Sequence, residues 1–341
     1  MNLLQYSPRT HTPIAIPQTT WRIGNLATFI RKHLLQSPGM RFGDKFFLFL
    51  ARLAGFSVIL LLALILVYLV YASLPAIQKF GVSFLYTSTW DPVREVFGAL
   101  PVIYGTLVTS FLALFIAGPI GVGIALFLNE LAPKRVAIVA GFLIEMLAAI
   151  PSVVFGLWGI FVLAPFLRES FQPWMIDTLG FIPLFEGPAY GVGKFASGLI
   201  LALMIIPTIS SITKEIFKTI PAHQREAAIA LGGTRWEVMK ISVLKASRSG
   251  IFGALFLGLG RALGETMAVT MVIGNRAQIM PSLFSPAQTM ASVIANEYAE
   301  ATSDIHMAAL AEVGLVLFGV TFLINFAARI LIHRMGRSQN A

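Results

Sequence analysis

Six long apolar segments constrain this 341-residue chain more than any other feature. A bilayer core of about 30 Å needs roughly 20 helical residues, and each segment approaches or exceeds that length. Only 12% of the residues are charged, about half the share found in a soluble domain. The sequence therefore predicts an all-α membrane protein with six transmembrane helices, near residues 46–74, 99–128, 137–164, 195–213, 250–274 and 307–330.

The basic residues of the loops predict how these spans are oriented. With the N-terminus in the cytoplasm, 19 of the 25 Lys and Arg residues belong to segments on the inner side and 5 to segments on the outer side. This distribution agrees with the positive-inside rule. Both the N- and the C-terminus are therefore expected in the cytoplasm.

Composition and motifs disfavour several other functions. The formal net charge of +9 is explained better by topology and anionic lipid than by nucleic-acid binding. Residues 187–194 look like a phosphate-cradling loop, but the spacing is one residue too long and Phe195 stands where Ser or Thr would bind magnesium. The chain contains no cysteine, so neither disulfides nor cysteine metal ligands are expected.

The predicted spans divide the chain into regions. Residues 1–45 form a cytoplasmic tail, whose segment 21–35 is compatible either with an interfacial helix or with a disordered basic tail. The remaining regions are the first span at 46–74, an extracytoplasmic loop at 75–98, a core of five spans at 99–333 that includes the cytoplasmic loop 214–249, and a cytoplasmic tail at 334–341.

The cytoplasmic loop between the fourth and fifth spans carries helical signals of its own. Pro221 suits a first helical turn, residues 222–231 favour a helix, and the glycine pair that begins at Gly232 can supply a left-handed ending. Thr234 and Glu237 have the spacing of a capping box that starts a second helix. The loop is therefore predicted to be a compact helix, turn and helix.

A short motif in the first of these helices suggests a docking role. Glu226, Ala227 and Ala228 are followed, after three residues, by Gly232. Small residues allow a second protein to approach closely and charges can fix its register, although packing within the chain is a competing interpretation. The spacing resembles the EAA motif of ABC importer permeases, which implies that this helix contacts a separate ATPase subunit.

Several longer stretches are similar to permeases of the PstC type in phosphate importers. They are WDP with FGALPVIYGTLVTS (90–110), LFLNELAP (126–133), AAIPSVVFGLWGIFVL (148–163), GRALGETMAVTMVIGN (260–275) and ASVIANEYAEA (291–301). The resemblance implies the type I ABC importer permease fold and ATP-driven import of inorganic phosphate by alternating access.

The same resemblance implies partners and a location. It implies a heterodimer with a PstA-type permease, two copies of a PstB-type ATPase and a PstS-type phosphate-binding protein, in the bacterial cytoplasmic membrane. ATP and Mg would bind to the ATPase. The chain itself is then expected to hold no cofactor or metal and to catalyse no reaction.

The fifth predicted span carries a cation and an anion, Arg261 and Glu265. If this helix enters the membrane near Gly250 and rises 1.5 Å per residue, the two residues lie roughly 16 Å and 22 Å deep. A charge at that depth costs at least about 2.5 to 3.5 kcal/mol on insertion scales. Both side chains are therefore expected to face protein or an aqueous path.

Two interpretations of this pair stay open. In the first, Arg261 and Glu265 neutralise each other, since a four-residue spacing places them on one helical face. In the second, Arg261 offers guanidinium donors to phosphate in transit and Glu265 holds Arg261 when the site is empty. Gly260 and Gly264 form a GxxxG step, which predicts a close helix contact beside the charges.

Two alternatives to phosphate import also remain. The cargo could be another oxyanion, such as molybdate or sulfate. An alternative of a different class is a self-sufficient ion-coupled transporter with Glu145, Glu265 and Glu312 as proton sites. The EAA loop disfavours this second alternative, because such a transporter needs no ATPase dock.

Overall fold

The computed structural model describes residues 42–337, and helices dominate this range. The one β-type pairing in the described residues is an isolated bridge between Asp91 and Val96. In chain order the helices are α1 (Phe42–Phe80), α2 (Ser83–Tyr86), α3 (Leu100–Leu131), α4 (Lys134–Ala148), α5 (Ser152–Leu179), α6 (Lys194–Lys218), α7 (Ala222–Ala230), α8 (Arg235–Lys245), α9 (Arg248–Leu263), α10 (Met267–Val272), α11 (Met290–Glu297) and α12 (Asp304–Arg337).

The described helices confirm an all-α membrane protein. In residues 42–337, α1, α3, α5, α6 and α12 are each long and apolar enough to cross a membrane. Helices α8 and α9 pass the same test together but are bent by 67°. If this bent pair is counted as one span, the described residues hold six. The segment 21–35, for which an interfacial helix was one prediction, lies outside the described residues.

The third span departs from its predicted range, 137–164. Helix α4 ends at Ala148 and α5 begins at Ser152, so the single predicted helix is wrong. Pro151 lies between them, in an extended conformation with ψ of 140°. A helix does not continue through this residue easily, because proline has no backbone N–H to donate and its ring clashes with the carbonyl four residues earlier. Helix α5 then continues beyond the predicted end to Leu179 through two π-helical turns.

The fifth span also departs from its predicted range, 250–274. Helix α9 ends at Leu263, Gly264 caps it, and α10 begins only at Met267. Glycine is a poor helix former, and the Glu265 side chain satisfies a backbone donor at the start of the next helix. The prediction of one continuous helix is therefore wrong.

The described residues divide into two units, 42–64 and 65–337. In the first unit, the described residues are helical and their apolar side chains are mostly exposed. In the second unit, α3 and α6 share the most extensive interface between helices.

Small residues bring α3 and α6 together. A Cβ added to Gly121 would lie 2.8 Å from Ile209, and one added to Gly198 would lie 2.6 Å from Leu112. Lipid is as apolar as a leucine side chain, so membrane helices associate chiefly through such close packing. The α3 and α6 pair is thus the tightly packed centre of the second unit.

Candidate functional site

Arg261 lies in the last turn of α9 and reaches across to α6. Its Nη1 donates a hydrogen bond to the Thr208 hydroxyl over 3.1 Å. The side chain is exposed on the surface of this chain. Within the described residues no carboxylate lies within 4 Å of the guanidinium. Arg261 is therefore a fixed cation that keeps most of its five N–H donors available.

Glu265 does not hold Arg261. It lies in the break between α9 and α10, and its Oε1 accepts a hydrogen bond from the Ala268 N–H over 3.4 Å. A four-residue spacing brings side chains together only on a continuous helix, and the helix has ended at Leu263. The predicted contact between Arg261 and Glu265 is therefore wrong in this structure, and the depth calculated for Glu265 does not apply.

The glycines near Arg261 also behave differently from the GxxxG prediction. In the described chain, a Cβ on Gly260 would come no closer than 4.0 Å to another side chain, and one on Gly264 would meet only the Gly260 carbonyl at 3.9 Å. The close contact occurs instead at Gly258, where a Cβ would lie 2.9 Å from Ile209 of α6. Gly264 caps α9, and a close contact of Gly260 and Gly264 with a helix of another chain stays a prediction.

Sequence reasoning missed Thr208 as the partner of Arg261. The other threonines near the charges bond their own backbone, as Thr270 does to the Thr266 carbonyl over 2.8 Å, which is the common habit of membrane threonines. Thr208 follows Pro207 inside α6. No spacing in the sequence links Thr208 to a residue 53 positions away, so only the tertiary structure reveals the contact.

The cytoplasmic loop has the predicted helix, turn and helix. Helix α7 is followed by Gly232 in the left-handed region, at φ of 83°. The predicted capping box is present: the Thr234 hydroxyl accepts from the Glu237 N–H, and the Glu237 carboxylate accepts from the Thr234 N–H. The Thr234 N–H and the Thr234 hydroxyl both donate to the Glu237 carboxylate and lower its pKa below the ordinary value. The loop is thus a defined protrusion.

The EAA segment faces away from the rest of the chain. Glu226 and Ala227 are exposed and Ala228 is half-buried. Large apolar side chains of the same loop are also exposed, namely Ile229 (61%), Leu231 (89%) and Trp236 (57%). Apolar side chains in these positions indicate a surface that a partner covers. Packing among residues 42–337 does not account for the exposed positions of the motif.

Arg225 differs from its neighbour Glu226. Glu226 is exposed, but the Arg225 guanidinium is turned back towards the membrane helices. It forms an ion pair with Glu130, with Nη2 and Oε1 2.8 Å apart. Glu130 lies within one of the stretches that resemble PstC, yet no local pattern in the sequence indicates this pairing.

The two remaining candidate acids have different surroundings. The Glu145 side chain is 63% exposed, and its Oε1 lies 4.0 Å from the Lys214 Nζ. Glu312 is buried, and its Oε2 has no hydrogen-bond partner among the described residues. Among the described residues, no ion pair or hydrogen bond connects Glu145, Glu265 and Glu312 to one another.

The amino-acid sequence matches a known protein family and several of its members. Residues 117–337 match the family described as binding-protein-dependent transport system inner membrane component. The phosphate transport system permease protein PstC of Mesorhizobium japonicum is 48% identical to this chain, over 86% of the chain and 90% of its own length. The protein of the same name from Pasteurella multocida is 48% identical over 84% of this chain and 91% of its own length.

A solved structure supports the fold independently. A bacterial ABC transporter involved in the import of the acidic polysaccharide alginate aligns with a TM-score of 0.53, over 89% of this chain and 98% of its own, at 18% identity. The likeness shows the ABC importer permease fold, which agrees with the exposed EAA helix. The chain therefore belongs to the binding-protein-dependent transport system inner membrane components, and within that family to the PstC-type permeases.

Proposed function

We propose that this chain is the membrane-spanning permease subunit of an ATP-driven importer of inorganic phosphate in the bacterial cytoplasmic membrane. The observation that carries the proposal is the 48% identity to a PstC phosphate permease over 86% of the chain. The helical fold suits alternating access between an outward and an inward opening. The chain supplies the path, and catalysis belongs to a partner.

The partners follow from the same proposal. A PstA-type permease completes the path, a PstB-type ATPase dimer binds ATP and Mg, and a PstS-type protein delivers phosphate. Glu226, Ala227, Ala228 and Gly232 shape the helix that docks the ATPase. Exposed apolar side chains on that loop support this role, since a partner would remove them from water.

Arg261 is the residue that we propose meets the cargo. A guanidinium offers planar N–H donors that match phosphate oxygens. Arg261 is exposed and has no carboxylate partner in the described residues, so its charge remains available to an anion. Thr208 orients the guanidinium when the site is empty, which is the role that the sequence suggested for Glu265.

Transport by the reconstituted complex tests the proposal. The permease pair and the ATPase are placed in liposomes with the binding protein outside and ATP inside, and accumulation of labelled phosphate is measured. We expect accumulation that requires ATP and is not reduced by excess sulfate or molybdate.

Two results would favour the alternatives instead. Strong competition by molybdate or sulfate would indicate another oxyanion as the cargo. Uptake that persists without the ATPase and disappears with the proton gradient would indicate an ion-coupled transporter. That second alternative draws little support from Glu145, because this residue is exposed and lies beside Lys214.

A further inference from the structure

One guanidinium behind the exposed face of α7 contacts three separate positions. The Nη1 of Arg225 donates to the Ile220 carbonyl over 3.0 Å. Its Nη2 donates both to the Phe217 carbonyl over 3.1 Å and to Glu130 Oε1 over 2.8 Å. Arg225 therefore ties the docking helix to the ends of two membrane spans, α6 and α3.

The attachment to α6 uses the end of that helix. Phe217 lies in its last turn and Ile220 just beyond it, directly before the cap of α7 at Pro221. The Phe217 carbonyl already accepts the Ile220 N–H over 3.3 Å, so the guanidinium adds a further hydrogen bond to it, and its charge interacts favourably with the C-terminal end of the α6 dipole. Phe217 and Ile220 are buried in one apolar cluster with Ala125 of α3 and Val243 of α8. This packing fixes the positions of the two carbonyls.

The attachment to α3 depends on Glu130. This residue lies in the π-helical last turn of α3, Phe127–Leu131, a form that often occurs at functional positions. Asn129 Nδ2 donates to the same Oε1 over 2.7 Å and holds the carboxylate towards Arg225. The side chains of Arg225 and Glu130 are only 23% and 13% exposed. A pair so far removed from water is strongly affected by the loss of either partner.

Open space lies beside the contact between Arg225 and Glu130. A groove of about 450 Å³ borders both Arg225 and Glu130 and is lined further by residues of α7 and α8. Helix α8 adds one more contact, since the Ser242 hydroxyl donates to the Gln224 carbonyl over 3.2 Å. Among the described residues, α7 has no fully buried side chain, and these polar contacts fix it beside the groove.

The geometry points to a joint formed by Arg225 and Glu130, through which movement of the docking helix passes to α3 and α6. Arg225 and Glu130 are positioning residues in this inference, which rests on the proposed docking of an ATPase at α7. Helix α6 also carries Thr208, nine residues or roughly 14 Å before Phe217. The joint therefore connects the docking helix to the helix that orients Arg261.

The coupling ratio of the complex tests the inference, measured as phosphate accumulated per ATP hydrolysed in proteoliposomes. Glu130→Gln removes the charge but leaves the carbonyl contacts of Arg225 in place. We expect the ratio to fall at least fivefold, while the ATPase still copurifies with the permease and still hydrolyses ATP. Glu130→Asp keeps the charge on a side chain that is one methylene shorter, so an intermediate ratio is expected.

Glu215→Gln is the matched control. Glu215 forms an ion pair with Lys218 over 2.7 Å near the same end of α6, but its side chain is 67% exposed. Removing that pair is expected to leave the ratio unchanged. A purely structural role of Glu130 would lower copurification of the ATPase together with uptake, whereas a role in transmission changes the ratio alone.

The possible results separate this inference from the proposed function. A wild-type ratio in Glu130→Gln, or loss of the bound ATPase in that variant, would overturn the joint. Absence of ATP-driven phosphate uptake by the unmodified complex would instead overturn the proposed function. If Glu130→Gln does not fold, the ratio of Glu130→Asp decides, and a wild-type value in that variant counts against the joint.

Discussion

At the scale of single residues, the transport proposal depends on a cation that no carboxylate of residues 42–337 neutralises. Arg261 contacts a neutral hydroxyl on α6, and the nearby acid Glu265 bonds the backbone instead. The sequence predicts that a charge in an apolar segment needs polar surroundings, and the Thr208 hydroxyl is the polar contact that the described structure provides. The sequence could not identify these surroundings, because the break after Leu263 turns Glu265 away.

Two substitutions test which neighbour orients Arg261. Thr208→Val removes one hydrogen bond of the charged guanidinium, a type worth about 1.5 to 3 kcal/mol. We expect phosphate uptake to fall roughly tenfold or more, and Glu265→Gln to retain most of it. The initial rate of phosphate uptake by the reconstituted complex is the measurement. The reverse order of effects would restore Glu265 as the partner of Arg261.

Glu312 provides a second test at this scale. It is buried with one oxygen unpaired in the described structure, and burying a polar atom without a partner is costly. Glu312→Gln keeps the shape of the side chain and removes the possibility of charge. ATP-driven phosphate uptake should be unchanged, and thermal unfolding in detergent should occur at the same or a higher temperature. Complete loss of uptake would favour the ion-coupled alternative.

At the scale of elements, the cytoplasmic loop is the part that local sequence describes best. The capping box of Thr234 and Glu237 and the left-handed Gly232 are features of neighbouring residues, so a short stretch of sequence suffices to predict them. The attachment of this loop is different. Arg225 and Glu130 are separated by 95 positions, and no local pattern predicts that they meet.

A charge reversal on the exposed face of α7 tests docking. Glu226→Lys alters an exposed side chain that forms no ion pair within the described residues, so the fold should persist while the ATPase dissociates. We expect copurification of the ATPase and phosphate uptake to fall together, about tenfold or more, since like charges across an interface cost several kcal/mol. Glu215→Lys supplies an exposed control on α6. An intact complex with normal uptake would contradict the docking role.

The start of α8 should respond to pH. The Glu237 carboxylate accepts two hydrogen bonds from Thr234, which lower its pKa from 4.5. A lowered pKa in the folded state means that the contribution to stability is complete above the ordinary value and is lost as the pH falls through the lowered one. Amide exchange at the start of α8, corrected for its intrinsic rate, should therefore accelerate in acid.

Thr234→Ala is the matching variant. It removes the cap hydroxyl, so exchange near the start of α8 should be roughly fivefold faster at neutral pH. The acid-dependent change should also be smaller than in the unmodified protein, because Glu237 loses one of its donors. Equal exchange in both proteins across the pH range would rule out a stabilising capping box.

At the scale of the whole molecule, hydropathy and charge predicted the class of the fold, whereas the interruptions of the spans required the structure. Long apolar segments suffice to predict helices, because backbone groups in a bilayer must bond within their own segment. The breaks at Pro151 and after Leu263 were missed, since apolar residues continue on both sides. Long-range partners such as Thr208 and Glu130 depend on how the helices pack.

The decisive measurement is accumulation of labelled phosphate by the reconstituted complex, with Arg261→Gln set beside the unmodified chain. In the proposed function, phosphate crosses the membrane past Arg261 at the expense of ATP. We expect ATP-dependent accumulation by the unmodified complex. In Arg261→Gln we expect accumulation to fall by about tenfold or more with assembly unchanged, because the substitution removes the hydrogen bonds of a charged group. Normal accumulation by an assembled Arg261→Gln complex would contradict this role of Arg261.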